Sequence, residues 1–477
     1  MTEHTRNQRP NVLILLSDDQ GPWALGCETP ELQTPVLDGL AADGLRFTNF
    51  FCASPVCSPA RASLLTGRIP SAHGIHDWLR KGNVAVDERI GIWSGKDRPI
   101  EYLKGLSGFT DVLAANGYRC GLSGKWHMGD SARPQKGHSF WCAHTLGGGD
   151  YRSYNVYDNG PEMEYKTEYV TDFFTRRAID FLQAYGHAPE PFCLSVTYTA
   201  PHTPWGREHH PAELFALYED CAFDSVPSEP AHPWAVWKMT PEERIEGLKG
   251  YFAAITGMDR GIGRILETLD ALGLRENTLV VFLSDNGFNL GHHGIIGKGN
   301  GTYPMNMTEE SVKVPFIVSW PGHVPHGLHE GLWSQYDFRP TLLDYLGMPD
   351  PEAETLPGHS FAGVLRGEPA AGREDLVIFD EYGPTRMIRE QAWKYVHRYP
   401  DGPHELYHLE ADPGEKSNLV DDPGHAPTLA RLRGKLEEWF RRYADPAKDG
   451  AVLPVSGVGQ LGAVDVGRDA EAFAQRE

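Results

Sequence analysis

Three things are scarce in this sequence of 477 residues. The first is a long apolar run. The polar start MTEHTRNQRP leads into NVLILLSDDQ, where the apolar stretch is only Val12 to Leu16. That is too short for a signal-peptide core or a membrane span, and no later segment reaches spanning length. The expectation is a cytoplasmic protein that does not engage a membrane. The second is cysteine. The seven residues Cys27, Cys52, Cys57, Cys120, Cys142, Cys193 and Cys221 are scattered, odd in number and without a C-x-x-C pair. Such a set excludes a disulfide framework or a zinc site, and burial as small apolar residues accounts for most of it. The third is positive charge. Lys and Arg number 44 against 65 Asp and Glu, a net charge of −21. Nucleic acids need basic patches, so a nucleic-acid partner is excluded.

What is present is core-forming material. Residues of apolar type make up 40% and aromatics 11%, and the length suits one large domain with a smaller one. Short apolar strands alternate with helical periodicity, which points to an α/β fold: a large mixed, mostly parallel sheet sandwiched by helices. Strands are expected from Val12, Leu45, Tyr118, Pro191, Thr278 and Val312. Helices are expected from Pro35 (with Thr34 as N-cap), Ser58, Phe109, Tyr169, Pro241 and Asp337. After about Gly367 the pattern changes to antiparallel strands and one amphipathic helix from Thr428, a small C-terminal α+β subdomain. The expected division is residues 1–367, 368–445 and a tail, 446–477, that serves as a docking arm or hangs loose.

Polar residues gather directly after the strands, at the edge where open α/β sheets bind ligands. Asp18 and Asp19 follow the first strand, Lys125 and His127 follow YRCGLSG, His202 follows LSVTYTAP, and Asp285 and Asn286 follow VVFLS. The DD and DN pairs read singly as turn formers or helix caps. Two such pairs after parallel strands suggest instead a hard cation with oxygen donors, Ca²⁺ or Mg²⁺. Arg61, Lys125, His127, His202 and Lys298 form a candidate positive cluster inside an acidic chain. Cys57 precedes Ser58-Pro59 at a predicted helix N-terminus, where anions and thiolates are favoured, so it is either a nucleophile or a plain buried cysteine. Aromatic loops from Gly147 (GGGDYRSYNVYDNG) and His232 (HPWAVWKM) serve equally as a sugar-stacking pocket or as core and lid packing.

These residues resemble the formylglycine-dependent sulfatase family of the alkaline phosphatase-like superfamily. CSPARASLLTG, from Cys57, looks like its C-x-P-x-R signature. DDQG, GKWHMG, APHTP, SDNG, GHHGIIGKGN with EESVKVP, and ELYHLEADPGEKSNL follow in the family's order across residues 11–420. Where the family has an aromatic and an acidic residue before LG, this chain has GPWALG.

The resemblance implies hydrolysis of a sulfate monoester, carbohydrate or aryl. The nucleophile would be Cys57 oxidised to formylglycine by a formylglycine-generating enzyme acting on CSPAR. One hydroxyl of its hydrate attacks sulfur, and the other loses its proton so that the carbonyl re-forms and expels sulfate. It implies Ca²⁺, with Mg²⁺ also permitted, on Asp18, Asp19, Asp285 and Asn286, with residue 57 completing the set. Arg61 would hold the diol, Lys125 and Lys298 would neutralise sulfate oxygens, His202 would act as general acid and His127 as base. A phosphonate monoester or phosphodiester hydrolase is the enzymatic alternative, and an inactive metal- and anion-binding relative is the non-enzymatic one. The partners implied are a small sulfated substrate and the modifying enzyme, with room for a homo-oligomer.

Overall fold

The computed structural model describes residues 9–80, 99–165, 168–368, 377–464 and 469–476. Its main sheet has eleven strands. Five neighbours run parallel in the order β8 (Thr278–Ser284), β1 (Asn11–Ser17), β7 (Phe192–Thr197), β3 (Arg119–Lys125) and β4 (His138–His144). These strands are apolar on both faces, as a sheet covered on both sides requires. All seven residues of β1 and of β8 are buried. Antiparallel β11 (Lys313–Ser319) joins β8 to β2 (Leu45–Phe51), whose far side is edged by β12 (Gly327–His329) and β13 (Trp333–Ser334). Beyond β4 the antiparallel strands β5 (Tyr154–Asp158) and β6 (Glu162–Tyr165) complete the other edge, and β9 (Asn289–Leu290) pairs with β10 (Ile296–Gly297) in a separate short antiparallel ribbon.

Two large apolar clusters lie one on each face of the sheet. Val12, Ile14 and Leu16 of β1 point into one, and Leu13 and Leu15 into the other. Helix α1 (Pro35–Asp43), α4 (Val170–Tyr185) and α5 (Pro241–Ala271) cover the second face, while α2 (Cys57–Thr66), α3 (Phe109–Ala115) and α6 (Gln335–Tyr345) cover the first. The 31-residue α5 begins with Pro241 at its first position and a reciprocal Thr240–Glu243 capping box. Helix α1 departs from expectation: Thr34 holds the N-cap position but does not cap. Its hydroxyl bonds to Asp38 and the Gly26 amide, and the carboxylate of Asp259 on α5 takes the free amides of Val36 and Leu37 instead.

A second sheet follows: β14 (Ile378–Tyr382), β15 (Thr385–Arg389), β16 (Trp393–Arg398) and β17 (Glu405–His408), antiparallel throughout, with α7 (Ala426–Tyr443) packed on it. The chain then returns to the main body. Gln460 pairs with the backbone of Trp78 and Arg80, and Phe473 is buried in the first apolar cluster. Among the described residues no helix is long and apolar enough to cross a membrane.

Candidate active site

The carboxyl ends of four adjacent parallel strands, β8, β1, β7 and β3, converge on one point. Asp285 follows β8 and Asp18 follows β1, next to each other in the sheet. Lys125 ends β3, two strands from β1 and so roughly 10 Å away along the backbone. Its long side chain crosses that gap to an ion pair with Asp18. Only glycine fits before it: a Cβ on Gly124, with φ +133°, would lie 1.9 Å from the Thr197 carbonyl.

Asp18, Asp19 and Asp285 each place a carboxylate oxygen within 4.8 Å of the others, all buried. Asn286 joins them, donating to Asp19 at 2.9 Å. Arg61, on α2, donates to Asp285 (2.8 Å) and to the Lys125 carbonyl (3.0 Å). Lys298 pairs with Asp19. Three cations therefore meet three carboxylates, but not completely. Asp18 Oδ1 and Asn286 Oδ1 are buried and accept no hydrogen bond. An unsatisfied buried acceptor costs about 1–3 kcal/mol, which a cation placed between these oxygens would recover. The donors are all oxygens, so the set fits Ca²⁺ or Mg²⁺.

Burial and the carboxylates of Asp285 and Asp19 push the Asp18 carboxyl up to about 8, against the pull of Lys125 and Arg61. Burial pushes Asp285 the same way, but Arg61, Lys125 and Lys298 prevail and hold it well below the usual carboxylate range. Asp19 is likewise lowered despite burial, by Lys298 and His202.

Cys57 opens α2, and its Sγ lies 3.4 Å from His127 Nδ1. The other ring nitrogen, Nε2, sits 2.9 Å from the Leu79 carbonyl. A carbonyl only accepts, so Nε2 carries the proton and the Nδ1 lone pair of the neutral ring faces residue 57. Burial holds His127 neutral, far below the ordinary histidine value, with Lys125 adding to the effect. Burial also pushes the Cys57 thiol up, so as a thiol it is un-ionised at neutral pH. His202 is fixed by Nδ1 donating to the Thr203 carbonyl at 2.7 Å, and its Nε2 points at Asp19, 3.8 Å away. Burial lowers it to about 4.

All ten residues singled out from sequence thus share one site. The structure adds others that no motif marks. Tyr251 of α5 bonds the Asp19 carbonyl and the Gly21 amide. Gln335 of α6 bonds the Ser284 and Asp285 carbonyls. Leu79 sets the His127 tautomer through its carbonyl. Each is a backbone-directed contact from a distant segment, which leaves no sequence pattern.

Above the cluster opens a cavity of about 590 Å³, lined by Cys57, His127, His202, Lys298, Trp78, Trp205, Trp237 and tail residues among others. The two aromatic loops divide between their readings. Gly147, Gly148, Val236 and Trp237 line the cavity, whereas Tyr151 and Tyr154 are core. A Cβ on Gly147 would fall 2.1 Å from the His127 ring, so glycine is needed for that approach.

Residues 10–348 match the sulfatase family, and residues 301–442 match the domain described as N-sulphoglucosamine sulphohydrolase, C-terminal. An N-acetylglucosamine-6-O-sulfatase of Bacteroides thetaiotaomicron is 28% identical over 93% of this chain and 88% of its own length. Arylsulfatase A of Homo sapiens is 29% identical, over 90% of this chain and 87% of its own. A protein solved in complex with its substrate, D-glucosamine-2-N,6-O-disulfate, shares the fold with a TM-score of 0.72 at 24% identity, covering 93% of this chain and 99% of that one. The chain belongs to the sulfatase family and is a sulfuric ester hydrolase.

Proposed function

We propose that this sulfatase cleaves a sulfate monoester of a carbohydrate or aryl alcohol, with residue 57 carried as formylglycine and Ca²⁺ or Mg²⁺ held by Asp18, Asp19, Asp285 and Asn286. One observation carries the reading: Cys57 Sγ stands on the cavity wall 3.4 Å from the unprotonated nitrogen of His127, with Asp19 and Lys298 lining the same space. Sulfur here marks the place of the oxygens that would stand on the same Cβ after oxidation. The hydrated aldehyde supplies an oxygen nucleophile and a second hydroxyl for sulfate release, and the cation supplies positive charge beside the sulfate oxygens.

The chain's own groups do the rest. Lys125 and Lys298 offset negative charge on the sulfate as it spreads in the transition state. Arg61 locks Asp285 and the end of β3 against α2. His127, with its lone pair toward residue 57, takes the proton of the second hydroxyl. His202 protonates the leaving alcohol. It is neutral in the substrate-free site, and a sulfate anion bound beside it favours its imidazolium form. Every residue of α2 is buried, so a formylglycine-generating enzyme would meet CSPAR on the unfolded chain.

Co-expression with such an enzyme should yield a chain about 18 Da lighter than the encoded mass. That sample should hydrolyse 4-nitrophenyl sulfate, and chelation or Cys57→Ala should abolish the activity. Wild-type turnover by Cys57→Ala would end the proposal. Faster turnover of a phenyl phosphonate ester would move it to the phosphonate monoester hydrolase alternative.

A further inference from the structure

The walls of the cavity away from the sulfate cluster are apolar and aromatic: Trp78, Trp205, Trp237, Leu146, Met239, Phe288 and Val458. Stacking alone does not separate a sugar from an arene. Polar partners do, because each buried sugar hydroxyl needs one. Among the described lining residues the only carboxylate is Asp19, already engaged by Lys298. Among the described lining residues outside the cluster the polar side chains are few: Thr203, Arg476 and Asn300, whose Oδ1 is buried without a hydrogen-bond partner, besides the indoles. The N–H of Trp78 is spent on the Gly457 carbonyl (3.3 Å) and that of Trp205 on the Pro201 carbonyl (2.8 Å), so both present carbon to the cavity. Trp237 is 51% exposed, a large aromatic left at the mouth.

One wall comes from the C-terminal tail, beyond residue 442 where the second family match ends. Gln460 brackets Trp78 through backbone bonds to Trp78 and Arg80. The Gly459 amide donates to Asp77 (2.9 Å), and Asn300 donates to the Gly457 carbonyl (3.2 Å). This anchoring presents Val458. Arg476 bonds the Ser456 carbonyl (2.7 Å) and packs over Tyr303, its guanidinium 4.5 Å from the ring centroid.

We propose that the C-terminal tail is the specificity element of the pocket: Val458, set against Trp78 and Trp237 and held in place beside Arg476, walls a mainly apolar slot that favours a flat aromatic alcohol over a sugar. The bond broken is taken from the sulfatase reading; the slot is not.

Binding and turnover test the two separately. Titrating 2-naphthol, which needs no catalysis, should quench tryptophan fluorescence in the wild type. Val458→Asn and Trp237→Ala, both at partly exposed positions, should weaken that binding roughly tenfold, and N-acetylglucosamine should give no response. In turnover, formylglycine-bearing enzyme should favour 2-naphthyl sulfate over N-acetylglucosamine-6-sulfate by roughly 100-fold in kcat/KM. Val458→Asn should raise KM for the naphthyl ester while kcat holds. Preference for the sugar ester, or naphthol binding indifferent to both variants, overturns the slot while leaving the sulfatase reading intact. Variant-sensitive naphthol binding without turnover of any sulfate ester supports the slot and defeats the sulfatase reading.

Discussion

Among the described residues two clusters bring three histidine or carboxylate groups within 4.8 Å of one another: Asp18, Asp19 and Asp285 at the sheet edge, and His293, Glu310 and Glu415 beside the second sheet. In composition they look alike. In wiring they differ. Around the second, Glu415 and Glu309 share Lys394 (2.7 and 3.1 Å), Arg389 and Lys313 add to Glu309, and His293 pairs with Glu310 at 2.6 Å. Lys394 and Arg389 belong to the second sheet and Glu309 precedes β11, so these pairs fasten the two sheets together. The sheet-edge cluster instead keeps two buried oxygens, Asp18 Oδ1 and Asn286 Oδ1, without a hydrogen bond. Proximity of acidic groups therefore does not distinguish a ligand site from a structural lock, whereas unfilled acceptors among the converging groups themselves mark the sheet-edge cluster as the candidate ligand site.

The contrast predicts opposite consequences for removing one lysine from each cluster. Lys394→Met takes the ammonium partner from buried Glu415 and leaves Glu309 only Arg389 and Lys313, and breaking a buried pair costs about 3–5 kcal/mol. Urea unfolding should show that loss, while turnover per folded molecule stays unchanged. Lys298→Met takes away a cation proposed to act on the substrate. It should lower kcat/KM by about 10²–10³-fold and tighten cation binding, because a competing positive charge has gone. If Lys298→Met proves as destabilising as Lys394→Met with activity retained, the two clusters are alike after all.

Much of this was legible in sequence because strands covered on both faces are runs of Val, Ile, Leu and Phe, and β1, β7 and β8 announce themselves that way. Placing Asp18, Lys125, His202 and Asp285 on one rim needed only those strands to be parallel neighbours. The strands β4, β5 and β6 were not anticipated. Their stretch, HSFWCAH to EMEY, mixes His, Asn and Glu with aromatics, so β4 is buried without reading as an apolar run, and β6, at the margin, faces solvent and is set by pairing. The tail was equally opaque. Gln460 meets His76 and Trp78 across some 380 positions, and a single long-range amide contact has no period to detect. The cap of α1 shows the same limit: Thr34 is the residue a local rule selects, and Asp259 of another helix takes the role.

A sharper test of the sheet-edge cluster is its proton. Burial and the neighbouring carboxylates push the Asp18 carboxyl up to about 8, so binding of a divalent cation there is expected to displace a proton. Apparent affinity for Ca²⁺ should rise with pH, about tenfold per unit for one proton, and level off above about 8. Calorimetry at pH 6.5 in buffers of different ionisation enthalpy should count about one proton released per ion. Affinity flat with pH would mean that Asp18 is already ionised.

The smallest expected change comes from Asp380 on β14, beside Lys394. Like Asp18 it is fully buried, and its two oxygens accept no hydrogen bond. Burial pushes its carboxyl well above the ordinary range, with Glu309 adding to this and Lys394 opposing it. Unlike Asp18, which has two carboxylates within 4.8 Å, it has Glu309 alone adding to the effect of burial, and both favour its neutral form. The folded protein then keeps a proton that the unfolded chain gives up near pH 4. Such a group favours folding fully only below the unfolded value, and the contribution is lost as pH rises toward the folded one. Asp380→Asn removes the proton but keeps the shape. At pH 4 or below the variant should lie within about 1 kcal/mol of wild type, the scale of one exchanged hydrogen bond. Between pH 5 and 8 wild type should fall behind it, by at most about 1.4 kcal/mol per unit. Urea midpoints at pH 4, 6 and 8 measure the gap. A gap that fails to widen would show Asp380 ionised against Lys394, making the lock between the sheets a three-carboxylate cluster like the one proposed to hold a cation.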